Sequence, residues 1–399
     1  MKWPGEFVSV SFPVALDDVT AGNPKVKKRD FASEGPLAIV DQGQDPIAGY
    51  AGDEALAFNG ELPVIVFGDH TCAFKYVDFP FALGADGVRI LAPRKGYVAK
   101  FLYYFLLSSP VAATGYSRHF KYLKVKRFPV VPPSEQCKIV ELLDQADALR
   151  KRRAEADKKA ERILPALFYK MFGDPSTNPM GWKTLPLPQV VDIGTRLVDP
   201  NEAPYLDLLH IGGDNIEKDS GRIVDAQSVR NSSLKSGKFT FTNDHILYCK
   251  IRPYLNKVAY PRFAGVCSAD IYPLLPIRMG VTQWYLVALL RSRAFLEFAK
   301  VHSERLRMPK LNREQLGAFA VPVPPPELVN AFTAIAHRLD KLHSDRFSAG
   351  DRVSTMFDTM LHRAFSGDLT AKWREAHMKE LLREMEIQAR ELRLDGVEV

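Results

Sequence analysis

From Ile139 onward, hydrophobic positions recur at intervals of three and four, through Leu142, Ala146, Leu149, Arg153, Ala156, Ala160, Ile163 and Leu167. The same rhythm returns later as Phe332, Ile335, Leu339, Leu342, Arg346, Ala349, Val353, Met356 and Met360. This spacing predicts two long amphipathic helices whose a and d positions meet in a coiled-coil seam. The predicted seam is carried by Leu142, Leu149, Arg153 and Ile163 on the first helix, and by Ile335, Leu342, Arg346 and Met356 on the second. Each run has one arginine at the same step, either as a register-setting polar layer or as a side chain that snorkels out of the seam. Pro-Pro precedes each run, as suits a helix start, where a missing amide proton is tolerated. Pro165 falls inside the first run and predicts a kink or an early end there, because it removes one backbone bond and crowds the preceding turn.

The two runs belong to a longer repeat. Pro129, Val130, Pro132, Pro133, Arg153, Ala156 and Phe172 align with Pro322, Val323, Pro325, Pro326, Arg346, Ala349 and Phe365, all at an offset of 322 − 129 = 193 without a gap. The blocks before each helix also resemble one another, more faintly. "VFGDHTCAFKYV" lies on "YCKIRPYLNKVA", with Lys75 opposite Lys257. In both blocks this stretch follows a β-type apolar run ("PVIV", "HILY") and precedes a strand-like run ("GVRILAP", "DIYPLLP") and a helical segment ("YVAKFLYYFLLSS", "TQWYLVALLRS"). The pattern predicts duplicated α/β (α+β) globular domains alternating with long α-helices, the helices paired as an antiparallel coiled coil. The expected order is domain 1–128, helix 129–173, domain 174–322, helix 323–366, and a charged helical tail over 367–399.

Composition narrows the class. With 46% hydrophobic and 25% charged residues, the 399-residue chain is built for packed cores, and its length suits two or three domains. "KFLYYFLLSSPVAA" is too short to span a bilayer, and the chain opens without a basic-then-apolar leader, so a cytoplasmic location without membrane contact is expected. Cys72, Cys137, Cys249 and Cys267 have no metal-type spacing and are expected to be reduced thiols. The tail holds six Lys or Arg against eight Asp or Glu. It is therefore expected to avoid DNA and to dock on the protein or on a partner subunit.

A net charge of +7 favours a polyanionic partner, and the distribution of charge says more. "YSRHFKYLKVKR" carries Arg118, Lys121 and Lys124 among Tyr116 and other aromatics, with no acid. "KIRPYLNKVAYPR" carries Lys250, Arg252, Tyr254, Asn256 and Lys257, again with no acid. Cations can neutralise phosphates, and Arg or Asn planes can pair with guanine or adenine edges in the major groove. These residues, with His70 and Lys75 in the first block, form the candidate DNA-binding set. The alternative is a set of solvated strand edges, where lysine is common. "RKRR" at Arg150 to Arg153 is followed by Glu155, Asp157 and Glu161 and reads as a salt-bridged helix face.

Motifs for chemistry are missing. There is no G-x-x-x-x-G-K-[ST] phosphate loop, and "NEAPY" (Asn201 to Tyr205) lacks the doubled proline of an amine-methylating site. His70, His119, His210 and His245 are scattered without metal-ligand spacing, and Asp69 and His70 are neighbours that a strand would point to opposite faces. No catalytic residue, metal or cofactor is assigned.

The phrase "VVPPSEQCKIVELLD" entering a helix that ends "LFYKMFGD", the second ending "LHRAFSGDLTAKWRE", and "VDQGQDPIAGYAGD" with "VFGDHTCAFKYVDFPFALGADGVRIL" resemble the specificity subunit of type I restriction–modification systems. The resemblance covers about residues 7 to 375. It implies that each block is a target recognition domain for one half of a split DNA sequence, with the helices setting the distance between the halves. It further implies a non-catalytic adapter whose partners are double-stranded DNA, two methyltransferase subunits and restriction/translocase subunits. The second helix begins "PPPELV", so no role of Glu135 and Gln136 carries over to Glu327 and Leu328. A stand-alone, adenine methyltransferase-like enzyme and a partnerless DNA-binding protein remain as the other readings.

Overall fold

The structure, a computed structural model, describes residues 8–84, 87–111, 117–194, 196–303 and 309–392. The chain divides into two compact units, Met1–Arg153 with Gly350–Val399, and Ala154–Ala349. This differs from the serial order expected from the sequence, because each unit includes part of both long helices. An amphipathic helix is stable only where its apolar stripe is covered, so the unit boundary follows packing and not chain order.

In the first unit, Leu16–Asp18, Val88–Pro93, Val64–Gly68 and Phe74–Val77 form an antiparallel sheet in that order. A second sheet orders Lys25–Val26, Phe81–Gly84, Leu37–Val40 and Gly49–Ala51, and its first two pairings are parallel. Side chains alternate across a strand, so Ile65 and Phe67 pack toward the helix Ala99–Ser108 in one core, while Val64 and Val66 pack with Val40, Phe81 and Leu83 of the other sheet in a second. Both faces of the central strand are buried. That is why "PVIV" reads as an unbroken apolar run and not as an alternation.

The second unit repeats the arrangement. Val191–Ile193, Ile271–Pro276, Ile246–Cys249 and Val258–Ala259 form its antiparallel sheet, and a five-stranded sheet lies beside it. Ile246 and Tyr248 pack with the helix Gln283–Leu290, and Leu247 and Cys249 pack with Phe239, Phe241 and Ile211. Each unit also closes with a short antiparallel pair, Ser9–Ser11 with Arg127–Pro129 and Thr184–Pro186 with Ala320–Pro322. The strands that lead into the two helices keep the 193-residue offset.

The first long helix runs Pro133–Glu161, breaks at Arg162 and resumes as Ile163–Phe172. Pro165 has no proton for the carbonyl of Glu161 four residues back, and the break sits within that turn, as its sequence position predicts. The second helix is uninterrupted over the 40 residues Pro326–Phe365. Within the first unit, partner positions run backward as the first helix advances: Glu135 meets Arg374, and Arg150 lies 4.3 Å over the Phe357 ring. Within the second unit, Phe168 and Phe172 pack on Phe332, and Asp157 Oδ1 accepts from Arg346 Nη2 at 2.5 Å. The pairing is antiparallel, and Arg346 faces an acid.

The expected seam is corrected in register. Leu149, Ile163, Ile335, Leu342 and Met356 are exposed, Leu142 is half-buried, and Arg153 is half-buried at the unit boundary. In the first unit the buried contact joins Ile139, Leu143 and Ala146 with Phe357, Leu361 and Ala364, and in the second Phe168 and Phe172 with Val329, Phe332 and Ala336; Ile139, Ala146 and Phe332 belong to the expected run, while Leu143 and Leu361 sit one position beside it. A helix advances 3.6 residues per turn, so a strict heptad drifts off a straight interface within a few turns.

The tail docks on the first unit. Glu135, fully buried, accepts from Arg374 Nε at 2.9 Å, Arg374 Nη2 at 2.6 Å and Thr370 Oγ1 at 2.6 Å. Gln136 Oε1 accepts the Val98 amide at 2.7 Å, and its Nε2 donates to the carbonyls of Gly96 and Val131. Gln388, from the tail helix Met378–Glu391, donates to the same two carbonyls at 2.9 and 3.0 Å. The Glu-Gln pair missing from the second helix thus serves in the first to hold the tail. Arg374→Ala would leave a buried carboxylate without its cation, which costs about 3–5 kcal/mol. The expected outcome is faster hydrogen exchange across residues 134–146 with exchange in 154–349 unchanged; unaltered protection at 134–146 would refute the clasp.

Candidate nucleic-acid interface

In each unit the central sheet ends in a hairpin turn, and the candidate residues gather there. The first turn follows Val64–Gly68 and carries Asp69, His70, Thr71 and Cys72, the last at φ 57°. The second follows Ile246–Cys249 and carries Lys250 to Lys257 around the short turn Pro253–Leu255. Arg252 and Asn256 flank that turn in the left-handed region, at φ 49° and 51°. Asparagine tolerates this conformation, whereas an arginine there costs on the order of 1 kcal/mol and is held only by its surroundings.

The structure separates the candidate cations into two groups. Lys75 is buried, its Nζ 3.3 Å from Asp41 Oδ1, and desolvation pulls its ammonium below the usual lysine range despite the Asp41 charge. Lys257 Nζ donates to the Gly213 carbonyl at 2.6 Å. Both lysines tether the hairpin to a loop of the neighbouring sheet. Lys250 Nζ donates to the Ala269 carbonyl at 2.5 Å and lies over the Tyr272 ring, and burial lowers its pKa. Asn256 is buried, with Nδ2 donating to Asp219 Oδ1 at 3.2 Å. Each of these four, expected to face DNA, has its side-chain nitrogen bonded inside the fold, while the buried Asn256 Oδ1 has no hydrogen-bond partner among the described residues. Gly221 belongs to the same closure, at φ 61°, where a Cβ would fall 1.8 Å from the Val258 carbonyl oxygen.

Arg252 and Tyr254 are exposed, as are Arg118, Lys121 and Lys124. Lys121 and Lys124 rest over the rings of Tyr122 and Phe120, each at 4.9 Å, and keep their ammonium groups at the surface. His70 is half-buried, its backbone N–H donating to Gln42 Oε1 at 3.3 Å. Tyr116 lies outside the described residues. Lys75 and Lys257 are also not strict equivalents: Lys75 lies within its strand, paired with Val66, whereas Lys257 immediately precedes the strand residue Val258, which pairs with Tyr248.

Sequence reading missed how each hairpin is bound to a distant segment. In the first unit the His119 amide donates to the Asp69 carbonyl at 2.9 Å, and the Phe120 amide donates to Asp69 Oδ1 at 2.8 Å. Asp69 thus anchors the start of the helix Phe120–Lys124 through both its carbonyl and its carboxylate. In the second unit the Leu311 amide donates to the Lys250 carbonyl at 3.0 Å, and the Arg252 amide donates to the Pro309 carbonyl at 2.8 Å. The 193-residue offset, carried upstream of the helices, points to this pair of segments. Among the described residues, no group of three His, Cys, Asp or Glu could hold a metal ion, and no helix is long and apolar enough to cross a membrane.

No protein-family model matches the chain. Over 200 residues it is 32% identical to the Escherichia coli type I restriction enzyme EcoDI specificity subunit, an alignment covering 49% of this chain and 44% of that protein. The match thus spans less than half the length of the curated relative. The fold is that of the type I restriction–modification S subunit of M. genitalium, with a TM-score of 0.55, 15% identity, and coverage of 92% and 97% of the two chains. A solved structure described under complex assembly and conformational transition of the type I R-M system aligns over 92% of this chain and 99% of its own, at 17% identity and a TM-score of 0.47. The chain resembles type I specificity subunits, in sequence across just under half of its length and in fold across most of it.

Lys75→Met and Lys257→Met are each expected to lower stability by about 1–3 kcal/mol through the lost charged hydrogen bond. The salt dependence of DNA binding should not change. A slope reduced by about one unit in either variant would return that lysine to phosphate contact.

Proposed function

We propose that this chain is the DNA sequence-recognition subunit of a type I restriction–modification complex. It binds a bipartite double-stranded target, one half-site per recognition unit, with the two long helices setting the spacing. It recruits methyltransferase and restriction/translocase subunits and performs no chemistry itself. The observation that carries this reading is the duplication of one surface: each unit ends its buried central sheet in a hairpin whose turn reaches the surface, at Thr71 in one and at Arg252 and Tyr254 in the other, and is bound to a second segment. A rigid sheet offering a short polar loop is the placement expected of a reader of base edges. The sequence match to the EcoDI specificity subunit and the shared fold support the same assignment.

Incubated alone with a methyl donor and DNA, the purified chain is expected to transfer no methyl groups, and to support methylation at a split site once modification subunits are added. Methylation by the chain alone would overturn the adapter reading.

A further inference from the structure

The tie between hairpin and distant segment sets an unassigned lysine beside the second turn. Ile251 and Lys310 form an isolated antiparallel bridge, and the flanking bonds, Arg252 N–H to Pro309 and Leu311 N–H to Lys250, fix it from both sides. The backbone of Lys310 is therefore held by a hydrogen bond at each neighbouring residue while its side chain is exposed. The charge of Lys310 reaches Lys250, where it adds to burial in lowering that ammonium's pKa. Lys250 is satisfied internally by Ala269 and Asp270, and the exposed Arg252 is the residue next to the bridge.

The first unit shows what this position is. There the segment residue whose amide reaches the hairpin carbonyl is His119, and the residue before it is Arg118, which is exposed. In the second unit the corresponding residue is Leu311, and the one before it is Lys310. The two cations thus occupy the same place relative to the same backbone tie. Alignment on the short helices Phe120–Lys124 and Arg313–Gly317 would pair Arg118 with buried Leu311 instead, so the equivalence becomes visible only through the tie.

We infer that Lys310 and Arg252 together form a phosphodiester-binding pair in the second unit, with Lys310 the counterpart of Arg118. An ammonium on a fixed backbone serves as a point charge for phosphate, and a neighbouring guanidinium can reach either a phosphate or a base edge. The left-handed backbone at Arg252 is consistent with a side chain held for contact at some conformational cost. Lys310 acts through charge alone and carries no sequence preference. The inference rests on the DNA reading above, and the experiment separates the two.

Binding of the full chain to a mixed-sequence DNA duplex would be measured by anisotropy over a range of salt concentrations. The variants are Lys310→Ala, Lys310→Gln, Lys310→Arg, and Lys159→Ala as a control whose ammonium already pairs with Glu155 on its own helix. Lys310→Ala and Lys310→Gln are expected to bind severalfold more weakly and to lower the salt slope by about one unit; Lys310→Arg and Lys159→Ala should keep the wild-type slope. Should the Ala variant melt early, the Gln variant, which keeps the side-chain length without the charge, decides. Wild-type binding with unchanged slopes in the Ala and Gln variants would overturn the inference and leave the DNA reading intact. No salt-dependent binding by the wild-type chain would sink the DNA reading itself.

Discussion

The structure depends on the need of each long helix to cover one apolar stripe. In the first unit, Ile139, Leu143 and Ala146 are buried in one cluster with Phe357, Leu361 and Ala364, so a unit that starts the chain is completed by residues that end it. Removing apolar surface from water at about 25 cal/mol per Å² drives this closure, and it is non-directional. Direction comes from the polar groups. Glu135 at the helix entry takes the Arg374 and Thr370 donors, and the amides of Gln136 and Gln388 clamp the same two carbonyls. A buried carboxylate without those donors would be strongly unfavourable, so the tail has one register in which to dock.

The same logic, repeated on a smaller scale, shapes the candidate interface. A central sheet buried on both faces can expose only its ends, and the turn between its hairpin strands is one of them. Lys75 is drawn inward to Asp41 in one unit and Lys257 to the Gly213 carbonyl in the other, which ties each turn to the neighbouring sheet. Backbone bonds from a distant segment complete the brace. Arg118, Lys121 and Lys124 in one unit and Arg252, Tyr254 and Lys310 in the other stay exposed and make up the candidate surface for a polyanion.

Much of this was legible in the sequence, for local reasons. Helical period, doubled proline and the break near Pro165 depend on neighbours along the chain, and the gapless 193-residue offset carried the duplication. The buried stripe was legible only in part: Ile139, Ala146, Ala160 and Phe332 of the 3,4 run are buried, but Leu149 and Leu342 of the same run turn outward. Charge was equally ambiguous. Lys250 and Lys257 sit in an acid-free run that looks like a phosphate patch, and only the structure shows that each ammonium bonds a carbonyl inside the fold. The partner of Glu135 lies 239 residues away, and no local signal joins them.

The central claim is that each unit reads its own half of a split target. Residues 1–127 would be exchanged for the corresponding block of a related subunit, the chimera combined with modification subunits, and the methylated positions mapped across host DNA. Base contacts are local to a unit, so the account expects one half of the recognised sequence to change and the other to stay as it was. A change in both halves together, or in neither, would contradict it.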